Sequence, residues 1–167
     1  MNKFYKSKDG ATAIEFTILF PLFAAVLFAL FELGALFLRF NQLDQAVDKV
    51  SRVMRVNTSV RYTEPTIRRL ICSELQISQK CEDRLSVELV RFSSFAQSGP
   101  KNTCAATGQA IRTPGSFSRG AKSEVMIMRV CMSFDIITPM IGVALKLGAD
   151  QSGRYVAVSS TLFANEP

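Results

Sequence analysis

The sequence predicts an α+β protein, with one long N-terminal helix that crosses a membrane and a small antiparallel sheet beyond it. Residues 11–38, the apolar segment, are almost uniformly apolar. At about 1.5 Å per residue they form roughly 42 Å of helix, more than the roughly 30 Å core of a bilayer. Three later segments, 86–92, 124–134 and 153–163, are rich in β-branched and aromatic residues. A chain of 167 residues can hold one such domain beside one anchor.

After Arg39 the pattern changes from uniformly apolar to amphipathic. Apolar residues recur at steps of three and four, at Phe40, Leu43, Val47, Val50 and Met54. This spacing predicts one helix from about Ala11 to Val56, about 69 Å long. Its second half presents an apolar stripe to a sheet. Pro21 removes one backbone hydrogen bond and is expected to bend the first half.

A second helix is predicted after Thr63, which is suited to cap it, with Pro65 in its first turn. The strand at 124–134 is apolar on both faces apart from Arg129, Cys131 and Ser133, which predicts a central position in the sheet. A long loop rich in glycine, proline and small polar residues precedes this strand. A short helix over 139–147 is predicted after it.

Four cysteines follow the apolar segment, and they permit three pairings. We expect Cys72–Cys81 to tie the second helix to the turn that follows it, and Cys104–Cys131 to fix the long loop to the sheet. Disulfides persist in oxidising compartments, which places this part outside the cytoplasm. No metal is expected, because the chain has no histidine and no CxxC pair.

The residues before the apolar segment set its predicted orientation. Lys3, Lys6 and Lys8 are opposed only by Asp9, and basic residues beside a first span favour the cytoplasmic side. A secretory signal that is removed is disfavoured, because the apolar segment far exceeds the roughly 7 to 15 residues of such a signal.

A short motif, GATAIEF, opens the helix, with Gly10 directly before it, Glu15 five residues later and Phe16 next. It resembles a class III prepilin signal, which a membrane-embedded aspartyl peptidase cuts after the glycine, between Gly10 and Ala11. The Gly-x-x-x-x-Glu-aromatic form resembles the Tad (tight adherence, Flp-type) pilus system. The length of the chain, Ala11 after the glycine and Pro21 resemble TadE-like minor pseudopilins, as does the closing RYVAVSSTLFANEP.

The resemblance implies a pilin-like fold with four parts. Residues 1–10 are a cytoplasmic leader, 11–40 a transmembrane and assembly helix, 41–58 its periplasmic extension, and 59–167 a periplasmic globular domain. Such a protein lies in the inner membrane of a bacterium, or outside the cell within a pilus. It would help to start or cap an adhesive pilus. Its implied partners are the prepilin peptidase, other Tad pseudopilins, the major Flp pilin, the inner-membrane platform proteins and the secretion ATPase.

Two acids, Glu15 and Glu32, lie within the apolar segment, at different depths. An ionised carboxylate at the edge of hydrocarbon is costly unless it is paired, and Glu15 lies at that edge. A cut after Gly10 would create an amine at Ala11, about one helical turn away, so Glu15 can pair within its own chain or with a neighbouring subunit; it can also lie among lipid headgroups. The resemblance favours the neighbour. Glu32 lies about 26 Å further along the axis, where its side chain is expected to reach water.

Other classes of function have little support in the sequence. Without histidine there is no Ser/His/Asp set, and no Walker-type phosphate loop occurs, so we expect no catalytic residue, no cofactor and no enzyme. An arginine set is expected just outside the membrane, as a solvated face or a contact with anionic lipid: Arg52, Arg55, Arg61, Arg68 and Arg69. Nucleic acid is a disfavoured alternative partner. The other alternative is an uncleaved, anchored periplasmic protein with a binding or structural role.

Overall fold

The computed structural model describes residues 10–57, 60–75, 80–92, 117–118, 120–121, 123–136 and 154–165. Within them, helices α1 and α2 precede a three-stranded antiparallel sheet in the order β1-β2-β3, and a single 3-10 turn leads into β1. The bounds are Ala11–Val56 for α1, Glu64–Leu75 for α2, Glu82–Arg84 for the turn, Leu85–Arg91 for β1, Val125–Phe134 for β2 and Tyr155–Ala164 for β3. The predicted α+β fold is confirmed.

Helix α1 has the bounds that its apolar pattern predicts. The N–H of Ile14 donates to the carbonyl of Gly10, and the helix runs unbroken through Pro21 to Val56. The predicted bend at Pro21 stays a prediction. The second half of α1 buries one stripe, formed by Leu43, Ala46, Val47, Val50 and Met54, because a step of three or four residues returns to the same helix face.

The sheet lies against this stripe. β2 is central, as predicted: Leu85 pairs with Met132 on the β1 side, and Phe134 pairs with Tyr155 on the β3 side. Alternate residues of a strand point to the same face. On β2 this face supplies the most deeply buried part of the core, formed by Met126, Met128, Val130 and Met132.

Helix α2 closes the core from the side, where Ile67 and Ile71 are fully buried. A disulfide joins its Cys72 to Cys81, with the two Cα atoms 5.8 Å apart, and confirms the first predicted pair. A bridge of this kind typically contributes about 2–4 kcal/mol to stability. Cys131 of β2 is also disulfide-bonded. Its predicted partner, Cys104, lies outside the described residues, as do the predicted helix 139–147 and most of the predicted long loop.

Two valines of α1 allow a direct test of the packing. Val47 is fully buried against the sheet, whereas Val56, on the same helix, is 60 % exposed. We expect Val47→Ala to lower the free energy of unfolding by about 2 kcal/mol, from lost burial and a residual cavity, and Val56→Ala to change it by less than about 0.5 kcal/mol. Denaturant unfolding of the full chain in detergent, followed by tyrosine fluorescence, measures both. Equal losses in the two variants would contradict this packing.

Candidate assembly site

Most of the first half of α1 is apolar and exposed. Large apolar side chains remain uncovered from Ile14 to Leu38, among them Phe16 at 64 % exposure. Among the described residues, one helix is long and apolar enough to cross a membrane, and this is α1. A helix that is apolar all round needs lipid or other helices to cover it, because water solvates such a surface poorly.

Gly10 stands at the exposed start of this helix. Its backbone φ of −94° is ordinary for any L-residue, so the conformation does not require glycine. A Cβ added at this position would meet no atom within 4 Å. Neither the conformation nor the packing of the single chain therefore explains a glycine before Ala11.

Glu15 lies one helical turn after Ala11 and is exposed. No described residue forms a hydrogen bond or an ion pair with its carboxylate, and the first turn of α1 contains no acid that would complement the helix N-terminus. Thr17, two residues after Glu15, does have a hydrogen-bond partner, because its hydroxyl donates to the carbonyl of Ala13 at 2.7 Å. Glu15 therefore stands out as a charged group for which the described part of the chain supplies no partner.

Phe16 and Pro21 shape the helix surface next to Glu15. The rings of Phe16 and Phe20 stack with their centroids 5.2 Å apart, as residues four apart on a helix can. Pro21 has no N–H to donate to the carbonyl of Thr17. The exposed surface that carries Glu15 thus combines an aromatic pair with a weakened backbone ladder, both of which a neighbouring helix could cover.

Glu32 departs from the prediction. Its side chain is only 3 % exposed, whereas Phe31 and Leu33 on either side are exposed. Leu36, one turn later, is also buried. The expectation that Glu32 reaches water is wrong, because the covered stripe of α1 extends further toward the N-terminus than the amphipathic pattern indicates. Its burial places an acid on the protein-covered side of the apolar segment.

The predicted arginine set does not lie next to the apolar segment. Because α1 continues as one helix, Arg52 and Arg55 lie roughly 20 Å further along the axis than Arg39. They line a groove of about 450 Å³ together with Asp48 and the end of β3. Their expected position just outside the membrane stays a prediction.

Helix α2 supplies two further members of that set, and both are in ion pairs. Arg68 pairs with Glu64 one turn earlier on α2, and Arg69 has its Nε 3.8 Å from Oε1 of Glu82. The Arg69–Glu82 pair is exposed, and pairs of that kind add little stability, whereas the Arg68–Glu64 pair is mostly buried. Two members of the set are therefore paired with acids, Arg68 with Glu64 and Arg69 with Glu82.

A different group of arginines lies at the end of the apolar segment. Arg39, Arg84 and Arg154 surround Asp135 at the edge of the sheet where β1 begins, β2 ends and β3 begins. Sequence reasoning missed this group because its members are far apart along the chain. Only the strand register brings them together, and the one local signal is that Arg39 directly follows the last apolar residue.

Fold and site together define a class of protein with one membrane-spanning candidate helix that continues into an α+β domain and carries an exposed acid near its N-terminus. A model of the TadE-like protein family matches residues 10–52, about a quarter of the chain. This segment is TadE-like, and the match confirms the resemblance seen in its motif. No curated protein and no solved structure matches the chain.

Proposed function

We propose that this protein is a TadE-like minor pseudopilin that initiates or caps a Tad/Flp-type pilus used for adhesion to surfaces. The observation that carries the proposal is the exposed apolar helix with Glu15 at its start, within the segment that matches the TadE-like family. A subunit held only by lipid would gain nothing from an unpaired acid there, whereas a subunit that joins others would.

Processing is the first step of the proposed function. The prepilin peptidase cuts between Gly10 and Ala11, removes residues 1–10 on the cytoplasmic side and leaves the helix in the inner membrane. The absence of any structural need for glycine at position 10 supports this step, because the requirement then comes from the peptidase. A site that accommodates only hydrogen at this position would exclude a larger side chain by steric clash.

Assembly is the second step, and it depends on the charge that processing creates. The new α-amino group of Ala11 is positive at neutral pH, since such groups titrate near pH 8. It adds to the positive end of the helix dipole. Glu15 then pairs with the amine of a neighbouring subunit, and the pair sets how far one helix shifts along the next. The exposed Phe16 and Phe20 rings pack in the same contact.

The proposed partners follow from this arrangement. The helix at 11–40 packs against other Tad pseudopilins or the major Flp pilin, and the inner-membrane platform with its secretion ATPase drives the assembly. Residues 41–58 and the domain at 59–167 lie in the periplasm, or outside the cell within the pilus. The role is structural, without catalysis or cofactor.

The decisive experiment compares the mature N-terminus in two hosts, one with the prepilin peptidase and one without it. We expect N-terminal sequencing to start at Ala11 in the first host and at Met1 in the second. The intact mass in the first host should be lower by the mass of residues 1–10. The same N-terminus in both hosts would overturn the proposal. The uncleaved anchored protein would then be the better description.

A further inference from the structure

The arginines at the end of the sheet where β1 and β3 begin come from three separate parts of the chain. The antiparallel register pairs Leu85 with Met132 and Phe134 with Tyr155. Arg84, Asp135 and Arg154, which flank these pairs, therefore meet at one edge of the sheet. This edge lies beside Arg39 of α1, and Arg39 directly follows the apolar segment. We call Arg39, Arg84, Asp135 and Arg154 the edge cluster.

Asp135 is the centre of the edge cluster. Its Oδ2 accepts a hydrogen bond from Nη1 of Arg84 at 2.6 Å, and its Oδ1 lies 3.8 Å from Nε of Arg154. The hydrogen bond from Arg84 holds the pKa of Asp135 below its ordinary value, and the charges of Arg84, Arg154 and Arg39 act in the same direction. The carboxylate is therefore ionised at neutral pH. Its side chain is 64 % exposed, and the side chains of Arg84 and Arg154 are 29 % and 32 % exposed.

Arg39 is held by other means. Its Nη1 donates to the backbone carbonyl of Asp135 at 2.6 Å, and its guanidinium lies 5.8 Å from the centroid of the Phe134 ring. Neither contact neutralises its charge. Arg39 and Arg84 together carry more positive charge than Asp135 can balance.

The position of the edge cluster along α1 determines which ligand can reach its positive charge. Phe37 and Leu38, directly before Arg39, are exposed apolar residues that belong to the proposed membrane span. If the hydrocarbon ends at Leu38, the edge cluster lies at the level of the lipid headgroups. Arginine is well suited to phosphate, because its planar fork of N–H donors matches two phosphate oxygens.

We propose that the edge cluster binds the phosphate of an anionic phospholipid in the leaflet on the side of the globular domain. The bound headgroup fixes the depth of the helix and the tilt of the sheet above the membrane. Zwitterionic lipids bind less well, because their amine brings a positive charge to the same surface. This inference rests on the proposed membrane span.

The test uses the full chain in phosphatidylcholine bilayers that contain a trace of spin-labelled lipid. We expect spin-labelled phosphatidylglycerol to associate with the wild-type protein about fivefold more strongly than spin-labelled phosphatidylcholine. This factor corresponds to the free energy of about 1 kcal/mol by which one basic residue attracts anionic lipid. The double variant Arg39→Gln/Arg84→Gln should lose this preference. Equal association of the two lipids with the wild type, or an unchanged preference in the double variant, would overturn the proposal.

A matched control removes the same charge elsewhere. The double variant Arg52→Gln/Arg55→Gln removes two charges from α1 roughly 20 Å beyond Arg39. We expect this variant to keep the preference for phosphatidylglycerol. A loss as large as that in the edge variant would mean that net charge alone attracts the lipid, and would overturn the assigned site. Tyrosine fluorescence during denaturation, measured on both variants, shows whether the domain is folded.

Two further outcomes distinguish a lipid headgroup site from a free-phosphate site and from failed insertion. Inorganic phosphate should weaken the preference more than chloride at equal ionic strength, because it competes for the same guanidinium donors; phosphate that binds the wild-type protein while the two lipids associate equally would identify free phosphate as the ligand and overturn the lipid assignment. A protein that immobilises neither lipid has not inserted, which would overturn the membrane span and this inference together. Insertion with equal association of both lipids would overturn only the headgroup site.

Discussion

Gly10→Leu is expected to leave the chain at its full length in the membrane, with no detectable cleavage and no pili. A Cβ at this position meets no atom within 4 Å in the single chain, and the backbone there accepts an L-residue, so folding and insertion should be normal. The block would then arise only in the peptidase, where the added side chain prevents the scissile bond from reaching the catalytic carboxylates. Intact mass of the membrane fraction and electron microscopy of the cells measure the two effects.

Gly34 provides the matched control for this experiment. It lies on the same helix, and a Cβ added there also meets no atom within 4 Å. Gly34→Leu therefore adds the same apolar volume to α1 without touching the cleavage site. We expect its processing to be complete. Normal processing of Gly10→Leu would refute the cut after Gly10, and failure of both variants would point to impaired insertion instead.

The elements of this fold were largely predictable because local patterns determine them. The bounds of α1 follow from an uninterrupted apolar run and then a stripe with steps of three and four, and the strands follow from their β-branched and aromatic content. β2 could be placed at the centre because both of its faces are apolar. The Cys72–Cys81 pair was predictable because its members are nine positions apart and Cys72 lies in the last turn of α2.

The edge cluster could not be predicted in this way. Arg84 precedes β1 and Arg154 precedes β3, and their meeting at Asp135 depends on which strands are neighbours and in which register. Sequence spacing contains neither piece of information. Arg52 and Arg55, which are close to each other in sequence, lie apart from this cluster, roughly 20 Å beyond Arg39 along α1.

Glu32 shows a second limit of local patterns. Periodicity predicts an interfacial acid, because its neighbours on the helix are apolar and nothing in the sequence indicates what covers it. Its burial depends on tertiary packing. The apolar segment therefore carries two acids in different surroundings: Glu32 is buried, whereas Glu15 is exposed near the other end of the segment. Only the second is available to another subunit.

Glu15→Ala is expected to spare cleavage and to reduce the number of pili by about tenfold or more. A hydrogen bond between charged groups contributes about 1.5–3 kcal/mol, and each 1.4 kcal/mol changes an equilibrium about tenfold, so its loss weakens every subunit contact that uses it. Removal of a carboxylate from the edge of the hydrocarbon also eases insertion, so a failure of anchoring would not explain the defect. Mass spectrometry measures cleavage, and pilus counts measure assembly.

Two variants make this test specific to the charge of Glu15. Glu15→Gln keeps the size and the hydrogen-bonding oxygen but cannot form an ion pair with the amine of Ala11, so it should resemble Glu15→Ala if charge sets the contact. Thr17→Ala removes a hydroxyl from the same helix, but this hydroxyl already donates to the carbonyl of Ala13. The Thr17→Ala variant should therefore assemble normally. Normal pilus numbers in Glu15→Ala would eliminate the pairing role. Normal numbers in Glu15→Gln alone would mean that a hydrogen bond suffices, because the amine of Ala11 can donate to an amide oxygen as well as to a carboxylate.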